Sequence, residues 1–128
     1  MNNDKLTELV RDADVALENN NYFEAERLVH EYFEASTSDC ELRIRAVSIL
    51  RDVHWKRGRA NDALPLAEEA IILANKSNKT EEIAEAIFSK GCIYNSLSDF
   101  SRALEYFNEA LNMFTATKDK NKIAGNLS

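Results

Sequence analysis

Apolar residues recur along nearly the whole chain at steps of three and four positions, a spacing that places them on one face of an α-helix. Residues 83–97 carry one such face, and Thr80 is expected to cap the start of that helix. A second helix follows after a short polar turn, capped by Asp99 or Ser98, and the clearest apolar run of the chain lies on it: Phe100, Ala103, Leu104, Phe107, Ala110, Leu111 and Phe114. The pattern therefore predicts an antiparallel helix hairpin.

Two similar helix pairs are predicted upstream. Residues 42–53 and 60–74 form apolar faces on either side of Gly58, which favours the left-handed conformation that ends many helices. Pro65 lies in the second of these segments, and proline is tolerated in the first turn of a helix. We therefore predict that this helix begins near Asn61 or Asp62, or begins with a slight kink. The remaining pair, residues 6–17 and 23–33, surrounds an asparagine-rich turn.

The three pairs align as internal repeats on Ala25, Ala63 and Ala103, which follow one another at nearly equal intervals. The third unit carries Gly91, Tyr94, Phe100, Ala103, Phe107 and Ala110, a pattern that resembles the tetratricopeptide repeat family. The resemblance implies an all-α fold, a right-handed α-α superhelix of three antiparallel helix pairs plus the start of a fourth. The period of about 40 residues exceeds the usual ~34, as in long-period bacterial members, and Arg51 replaces the small glycine of the second unit.

The chain is interpreted as one domain, because no linker or change of composition divides residues 1–128. The repeats cover approximately residues 5–36, 39–76 and 80–116, with longer helices or longer turns absorbing the extended period. A turn at residues 117–119 is expected to precede the start of a further first helix at residues 119–128, since Ile123 aligns with Ile83 of the preceding repeat. We expect the chain to be an N-terminal fragment of a longer protein, because a solenoid end normally carries a polar capping helix.

Composition and charge narrow the possible partners. A net charge of −6 and a pI of about 5.0 argue against nucleic acid and against anionic membrane surfaces, both of which need a cationic face. The sequence has no uncharged apolar stretch long enough for a signal peptide or a membrane span, so a cytoplasmic location is expected. Cys40 and Cys92 lack metal-ligand spacing and are expected to be free thiols in a reducing compartment.

No catalytic motif is present in the sequence, so we expect no enzyme activity, no cofactor and no metal site. His30 has Glu26 and Glu34 four residues on either side, which permits a weak metal site, but ordinary ion pairing on a helix surface is favoured. His54 and Cys92 are interpreted as packing residues rather than as a base and a nucleophile.

The resemblance also implies where a partner binds, because first helices line a concave groove in this family. Trp55 and Phe88 are the expected apolar anchors, although packing of Trp55 against the next repeat is an equal alternative. The basic side chains with which some members hold an acidic C-terminus are absent, so a neutral or basic peptide is favoured. The expected groove residues are Val10, Asp14, Leu17, Arg45, Ser48, Asp52, Trp55, Lys56, Glu85, Phe88, Cys92 and Asn95.

Two functions are compatible with these observations. The first is a scaffold for protein or peptide binding, serving as the N-terminal regulatory module of a larger bacterial signalling protein with an output domain such as a histidine kinase or nucleotide cyclase. The second is a self-association module in which apolar repeat ends pair two copies as a homodimer. A fragment of an enzyme is disfavoured.

Overall fold

A computed structural model describes the backbone of residues 3–35 and 40–126 and the side chains of residues 4–35 and 41–116. These residues form six α-helices and no strand, which confirms the predicted all-α fold. The helices are α1 (Asn3–Glu18), α2 (Tyr22–Ala35), α3 (Cys40–Lys56), α4 (Ala60–Lys76), α5 (Thr80–Ser96) and α6 (Phe100–Asn126). Helices that are consecutive in the chain pack against each other, and α1 also packs against α3.

Longer helices, not longer turns, account for the extended repeat period. Helices α3, α4 and α5 each contain 17 residues. The connection from α3 to α4 and the one from α4 to α5 are equally short, and the first helices of these two repeats begin at Cys40 and Thr80. The turn between these repeats is therefore no longer than the turn within the first of them.

The same turn closes four of the helices. Each turn contains one residue with a positive φ angle: Asn20 at 61°, Gly58 at 76°, Asn78 at 54° and Ser98 at 63°. The next backbone N–H donates to the carbonyl five residues earlier, as in the bond from Arg59 to His54 at 2.7 Å. This bond defines the Schellman motif, which satisfies carbonyls left free at a helix C-terminus. The predicted left-handed cap at Gly58 is confirmed.

Side-chain caps begin two of the helices. The Asp99 side chain accepts a hydrogen bond from the Arg102 backbone N–H at 3.3 Å, and Asn21 accepts one from Glu24 at 3.4 Å. The predicted Thr80 cap is wrong: Lys79 occupies the cap position without a side-chain bond, and Thr80 is already the first residue of α5.

Two predicted helix boundaries also differ from the structure. Helix α4 begins at Ala60, before the predicted Asn61 or Asp62, because the Arg59 carbonyl already accepts from the N–H groups of Asp62 and Ala63. Pro65 is consequently inside the helix, where it lies exposed on the surface. Helix α6 continues to Asn126, so no turn at residues 117–119 separates a further helix from it. That segment contains no glycine, asparagine or proline to break the helix.

The three aligned alanines are all buried on the second helices of their pairs. Ala25 and Ala63 are fully buried and Ala103 is 3% exposed, each on the second helix of its pair, where small side chains allow close helix approach. The repeats confirm the predicted role of these residues in the core.

In the second and third repeats, another pair of positions, one on each helix, holds a large and a small residue in opposite order. Gly91 on α5 lies against the Phe107 ring of α6, and a Cβ atom built on Gly91 would lie 2.7 Å from two ring carbons. One repeat earlier, the corresponding positions hold Arg51 and Ala67. The large residue thus stands on the second helix in one repeat and on the first helix in the other. This exchange explains how a buried arginine occupies the position of the family's small glycine.

Candidate functional site

Two adjoining pockets lie along the side of the molecule formed by the first helices α1, α3 and α5. One has a volume of about 310 Å³ and lies between α1, α3 and the start of α5. The other has a volume of about 140 Å³ and lies between α3 and α5. Both are lined by Arg51 and Asp52, so together they form a continuous depression, here called the groove.

The smaller pocket, here called the apolar pocket, is lined mainly by uncharged side chains. Phe88 forms one wall and is 48% exposed, while Ile93 is buried and Cys92 is partly buried. Trp55 forms the opposite wall. Its indole N–H donates to the Ser96 hydroxyl at 2.8 Å, and its ring packs against the cluster around Ala63. Trp55 therefore packs against the next repeat and also lines the pocket. The sequence had left these two roles as alternatives.

The larger pocket is polar and carries an excess of negative charge. The Arg45 guanidinium lies 3.3 Å from the Asp14 carboxylate, and the buried Arg51 lies 3.1 Å from Asp52, so both arginines have acidic partners. Glu82 and Glu85 line the same pocket and add two further carboxylates. An acidic surface of this kind attracts a basic ligand.

A further ion pair lines a neighbouring depression that shares Arg45 and Glu82 with the larger pocket. The Lys79 ammonium lies 2.7 Å from the Glu41 carboxylate. This bond, with a smaller contribution from Glu82, raises the pKa of Lys79 above its ordinary value. The charge of Lys79 is thus directed toward acidic groups of the protein itself.

Most of the predicted groove residues line the two pockets: Asp14, Leu17, Arg45, Ser48, Asp52, Trp55, Glu85, Phe88 and Cys92. Lys56 and Asn95 are exposed but lie outside both pockets. Val10 is 1% exposed and belongs to the core between α1 and α2, so it is not offered to a ligand. Helical spacing places Val10 on the same face of α1 as Asp14 and Leu17, and spacing alone does not show which of these residues the core covers.

Several lining residues were missed by the sequence-based prediction: Ile44, Ile49, Arg51, Glu82, Ser89 and Ile93. Ile44, Ile49 and Ile93 are buried and are indistinguishable from core residues in the sequence. Arg51 gives a usable signal, because a charged residue at a position normally held by glycine must find an acidic partner or reach a surface.

A third depression, of about 590 Å³, lies on α2 and the α3–α4 turn, away from the groove. Several of its charged side chains pair with one another. Arg57 lies 3.1 Å from Glu26, and Arg27 lies 3.4 Å from Glu31. Mutually satisfied charges of this kind are ordinary on a solvated helix surface.

Cys92 and His30 are among the described residues for which the sequence raised a possible chemical role. Burial, reinforced by the charge of Asp52, raises the pKa of the Cys92 thiol above its ordinary value and so disfavours the reactive thiolate. His30 is exposed, with its imidazole 3.7 Å from the Glu26 carboxylate. Within residues 4–35 and 41–116, no group of three or more potential ligands is arranged to hold a metal ion. None of the helices in the described part of the chain is long and apolar enough to cross a membrane.

Comparison with solved structures supports the helical-repeat fold. The N-terminal domain of stress-induced protein-1 (STI-1) from C. elegans is similar over the full length of both chains, with a TM-score of 0.70 and 15% sequence identity. BtubC (BKLC) from P. vanneervenii is similar over 81% of this chain, with a TM-score of 0.65 and 25% identity. The chain spans 43% of the length of BtubC. No curated protein is significantly similar to the chain in sequence.

A family model provides the assignment. The tetratricopeptide repeat model matches residues 52–116, which is more than half of the chain and covers parts of both the second and the third helix pair. The match agrees with the repeated helix pairs, the small residues at their crossings and the similar solved structures. The chain therefore belongs to the tetratricopeptide repeat family.

Proposed function

We propose that the groove binds a segment of another protein that places an apolar side chain in the apolar pocket and a basic side chain beside Glu85. Tetratricopeptide repeats form scaffolds for protein–protein interaction, and this chain has their architecture. The observation that carries the proposal is the position of an apolar pocket directly beside an acidic one on the surface of the first helices.

The apolar pocket supplies the anchor. Phe88 is a large aromatic residue with almost half of its surface exposed, and it contacts Phe107 at a ring separation of 5.3 Å, which holds it in place. An aromatic side chain that is already positioned loses little conformational entropy when a ligand covers it. A volume of about 140 Å³ accommodates a side chain of roughly leucine size, so we expect Leu, Ile or Met as the anchor of the ligand.

The acidic pocket supplies the charge preference. Asp14 and Asp52 are paired with arginines, whereas Glu85 is exposed and has no ion-pair partner among the described residues. A ligand lysine or arginine gains a partner there without displacing an existing ion pair. An acidic ligand would meet an uncompensated negative field, so a basic segment is favoured over an acidic one.

The wider biological role stays a prediction from the resemblance. We propose binding without catalysis, since tetratricopeptide repeats are interaction scaffolds and the raised pKa of Cys92 disfavours its nucleophilic thiolate. Service as the regulatory module of a cytoplasmic bacterial signalling protein, with a kinase or cyclase output domain, is kept as a hypothesis that sequence beyond Ser128 would test.

Intrinsic fluorescence gives a direct binding assay, because Trp55 is the one tryptophan of the chain and lines the apolar pocket. Three peptides of equal length would be titrated, each with a central leucine and with flanks that are basic, neutral or acidic. We expect the basic peptide to shift the Trp55 emission at the lowest concentration, and added salt to weaken its binding.

Two substitutions separate the contributions of the groove. Phe88→Ala should weaken binding by about tenfold or more, while Glu85→Gln should remove the preference for the basic peptide. Phe23→Ala and Glu81→Gln are the matched controls, because both residues are exposed and lie outside the groove. Equal binding of acidic and basic peptides, or normal binding by the Phe88 variant, would show that the groove is not the binding site.

A further inference from the structure

We propose that the outer face of α6 is a homodimer interface through which two copies of this chain pack with their α6 helices antiparallel. Four large apolar side chains on this helix are exposed: Phe100 at 65%, Leu104 and Leu111 at 61%, and Phe114 at 37%. Together with the half-buried Phe107 they follow one another at steps of four and three residues, which forms a single stripe along the helix. We call these five residues the α6 stripe.

The α6 stripe corresponds to a surface that is covered elsewhere in the molecule. The equivalent positions on α4, one repeat earlier, include Ala60, Leu64 and Ile71. Ala60 and Leu64 pack with Ile93 of α5, and Ile71 packs against the cluster that contains Ala86 of α5. The repeat geometry therefore makes this face of every second helix a helix-packing surface, and on α6 it is left open within the described residues.

The opposite end of the molecule does not complement the α6 stripe. The α5 residues that cover α4 are Ala86 and Ile93, and α3 has Ala46 and Val53 at the equivalent positions, all of them buried. The corresponding positions on α1 are Glu8 and Val15, which are exposed and flanked by charged residues. Head-to-tail stacking of α1 on α6 would bury the Glu8 carboxylate against apolar side chains at a substantial desolvation cost. A second copy is therefore expected to use the same face, as in a two-fold dimer.

The α6 stripe is suited to pairing with itself. Read in either direction, its order is Phe, Leu, Phe, Leu, Phe. In an antiparallel pair, Phe100 of one copy lies opposite Phe114 of the other, and the leucines lie opposite each other. The exposed residues that directly follow the residues of the stripe are Ser101, Glu105, Asn108, Asn112 and Thr115, and only Glu105 among them is charged. Residues near a two-fold axis meet their own copies, so the low charge of this flank limits repulsion between like groups.

The size of the surface predicts a weak dimer. With about 200 Å² of surface per large side chain, the exposed fractions of the α6 stripe amount to roughly 450 Å² of apolar area per copy. A dimer would then bury about 900 Å² from these side chains, which is below the ~1,200 Å² of stable interfaces and within the range of weak ones. We therefore expect association that depends on concentration, with a dissociation constant in roughly the micromolar-to-millimolar range.

Sedimentation equilibrium of the purified chain over a wide concentration range tests the proposal. We expect a monomer–dimer equilibrium that is shifted at least tenfold toward monomer when Leu104 and Leu111 are both replaced by lysine. The same result is expected when both are replaced by glutamate. Ile72→Lys on α4 is the matched control, because Ile72 is a similarly exposed apolar residue at 56% but lies outside the stripe. It should leave the equilibrium unchanged.

Mixing the double-lysine and double-glutamate variants tests the antiparallel pairing itself. In that arrangement the introduced lysines of one variant oppose the introduced glutamates of the other, so a heterodimer should form. Circular dichroism of each variant checks that the exposed substitutions leave the helices folded. A chain that stays monomeric at every concentration would overturn the proposal and leave a helix from another polypeptide as the occupant. A dimer unaffected by the stripe variants, or no heterodimer on mixing, would also overturn it.

Discussion

The contact between Gly91 and Phe107 makes a sharp prediction about stability. A methyl group on Gly91 would place its carbon 2.7 Å from two carbons of the Phe107 ring and 3.3 Å from the Ala103 carbonyl oxygen. Carbon atoms in contact are normally about 3.5–4.0 Å apart, so the ring must move by roughly 1 Å. The Phe88 ring, packed against Phe107 at 5.3 Å, limits that movement.

Two opposing terms set the size of the effect of Gly91→Ala. Overpacking typically costs about 1–3 kcal/mol, whereas alanine favours the helix over glycine by about 1 kcal/mol. We expect a net loss of about 1 kcal/mol, which lowers the melting temperature by about 3–6 °C for a domain of this size. In a Phe107→Ala background the ring is absent, so the helix-propensity gain dominates and Gly91→Ala should stabilise the protein. The second repeat already combines a large first-helix residue with a small second-helix residue, Arg51 with Ala67.

Urea denaturation of the four proteins in this double-mutant cycle measures both effects. The expected signature is a change of sign: Gly91→Ala destabilises the natural chain and stabilises the Phe107→Ala variant. Gly91→Leu adds three more carbons and should unfold the third helix pair, seen as a loss of helical signal. If Gly91→Ala had the same effect in both backgrounds, or if Gly91→Leu left the melting temperature unchanged, the close crossing described for this pair would be refuted.

Two further predictions concern a turn and a thiol. Ser98 holds a positive φ of 63°, which is unfavourable for a residue with a Cβ atom, so Ser98→Gly should stabilise the protein by about 0.5–1 kcal/mol in thermal melts. Asn78→Gly should gain less, because asparagine tolerates this conformation, and an equal gain would contradict the account. In a Cys40→Ser background, Cys92 should be alkylated more slowly than a free cysteine at pH 8, because burial and Asp52 disfavour the thiolate and raise its pKa. Asp52→Asn should lower that pKa and speed alkylation at the same pH; an unchanged rate profile would show that the Asp52 charge has no effect there.

The fold is predictable because its signals are local. Helical spacing of apolar residues, the aligned alanines and Gly58 are all visible in the sequence, and each concerns contacts within one helix pair. The errors fall where a signal is weak. Ser98 and Asn78 adopt the same left-handed turn as Gly58 without being glycine, and residues 117–119 stay helical, although the repeat spacing predicts a turn there, because they contain no helix-breaking residue.

The candidate site is predictable only in part, because it depends on how adjacent helices are rotated. Val10 shares a helix face with Asp14 and Leu17, which line the groove, but Val10 is buried in the core. The acidic partner of Arg51 is the next residue, Asp52, but the position of Arg51 between the two pockets depends on how α3 and α5 pack side by side. The sequence indicates Trp55 as either an anchor or a packing residue, and its bond to Ser96 of α5 requires the fold.

The order in which the helices pack makes the molecule a one-dimensional array. Each helix packs chiefly against its neighbours in the chain, four of the connections are turns of one kind, and among the described residues only α1 and α3 add a further sizeable contact. Cooperativity between distant repeats must then pass through every interface in between. A destabilising substitution at Gly91 would consequently unfold α5 and α6 first. The core around Tyr32 and Val29, which packs α1 and α2, would stay folded.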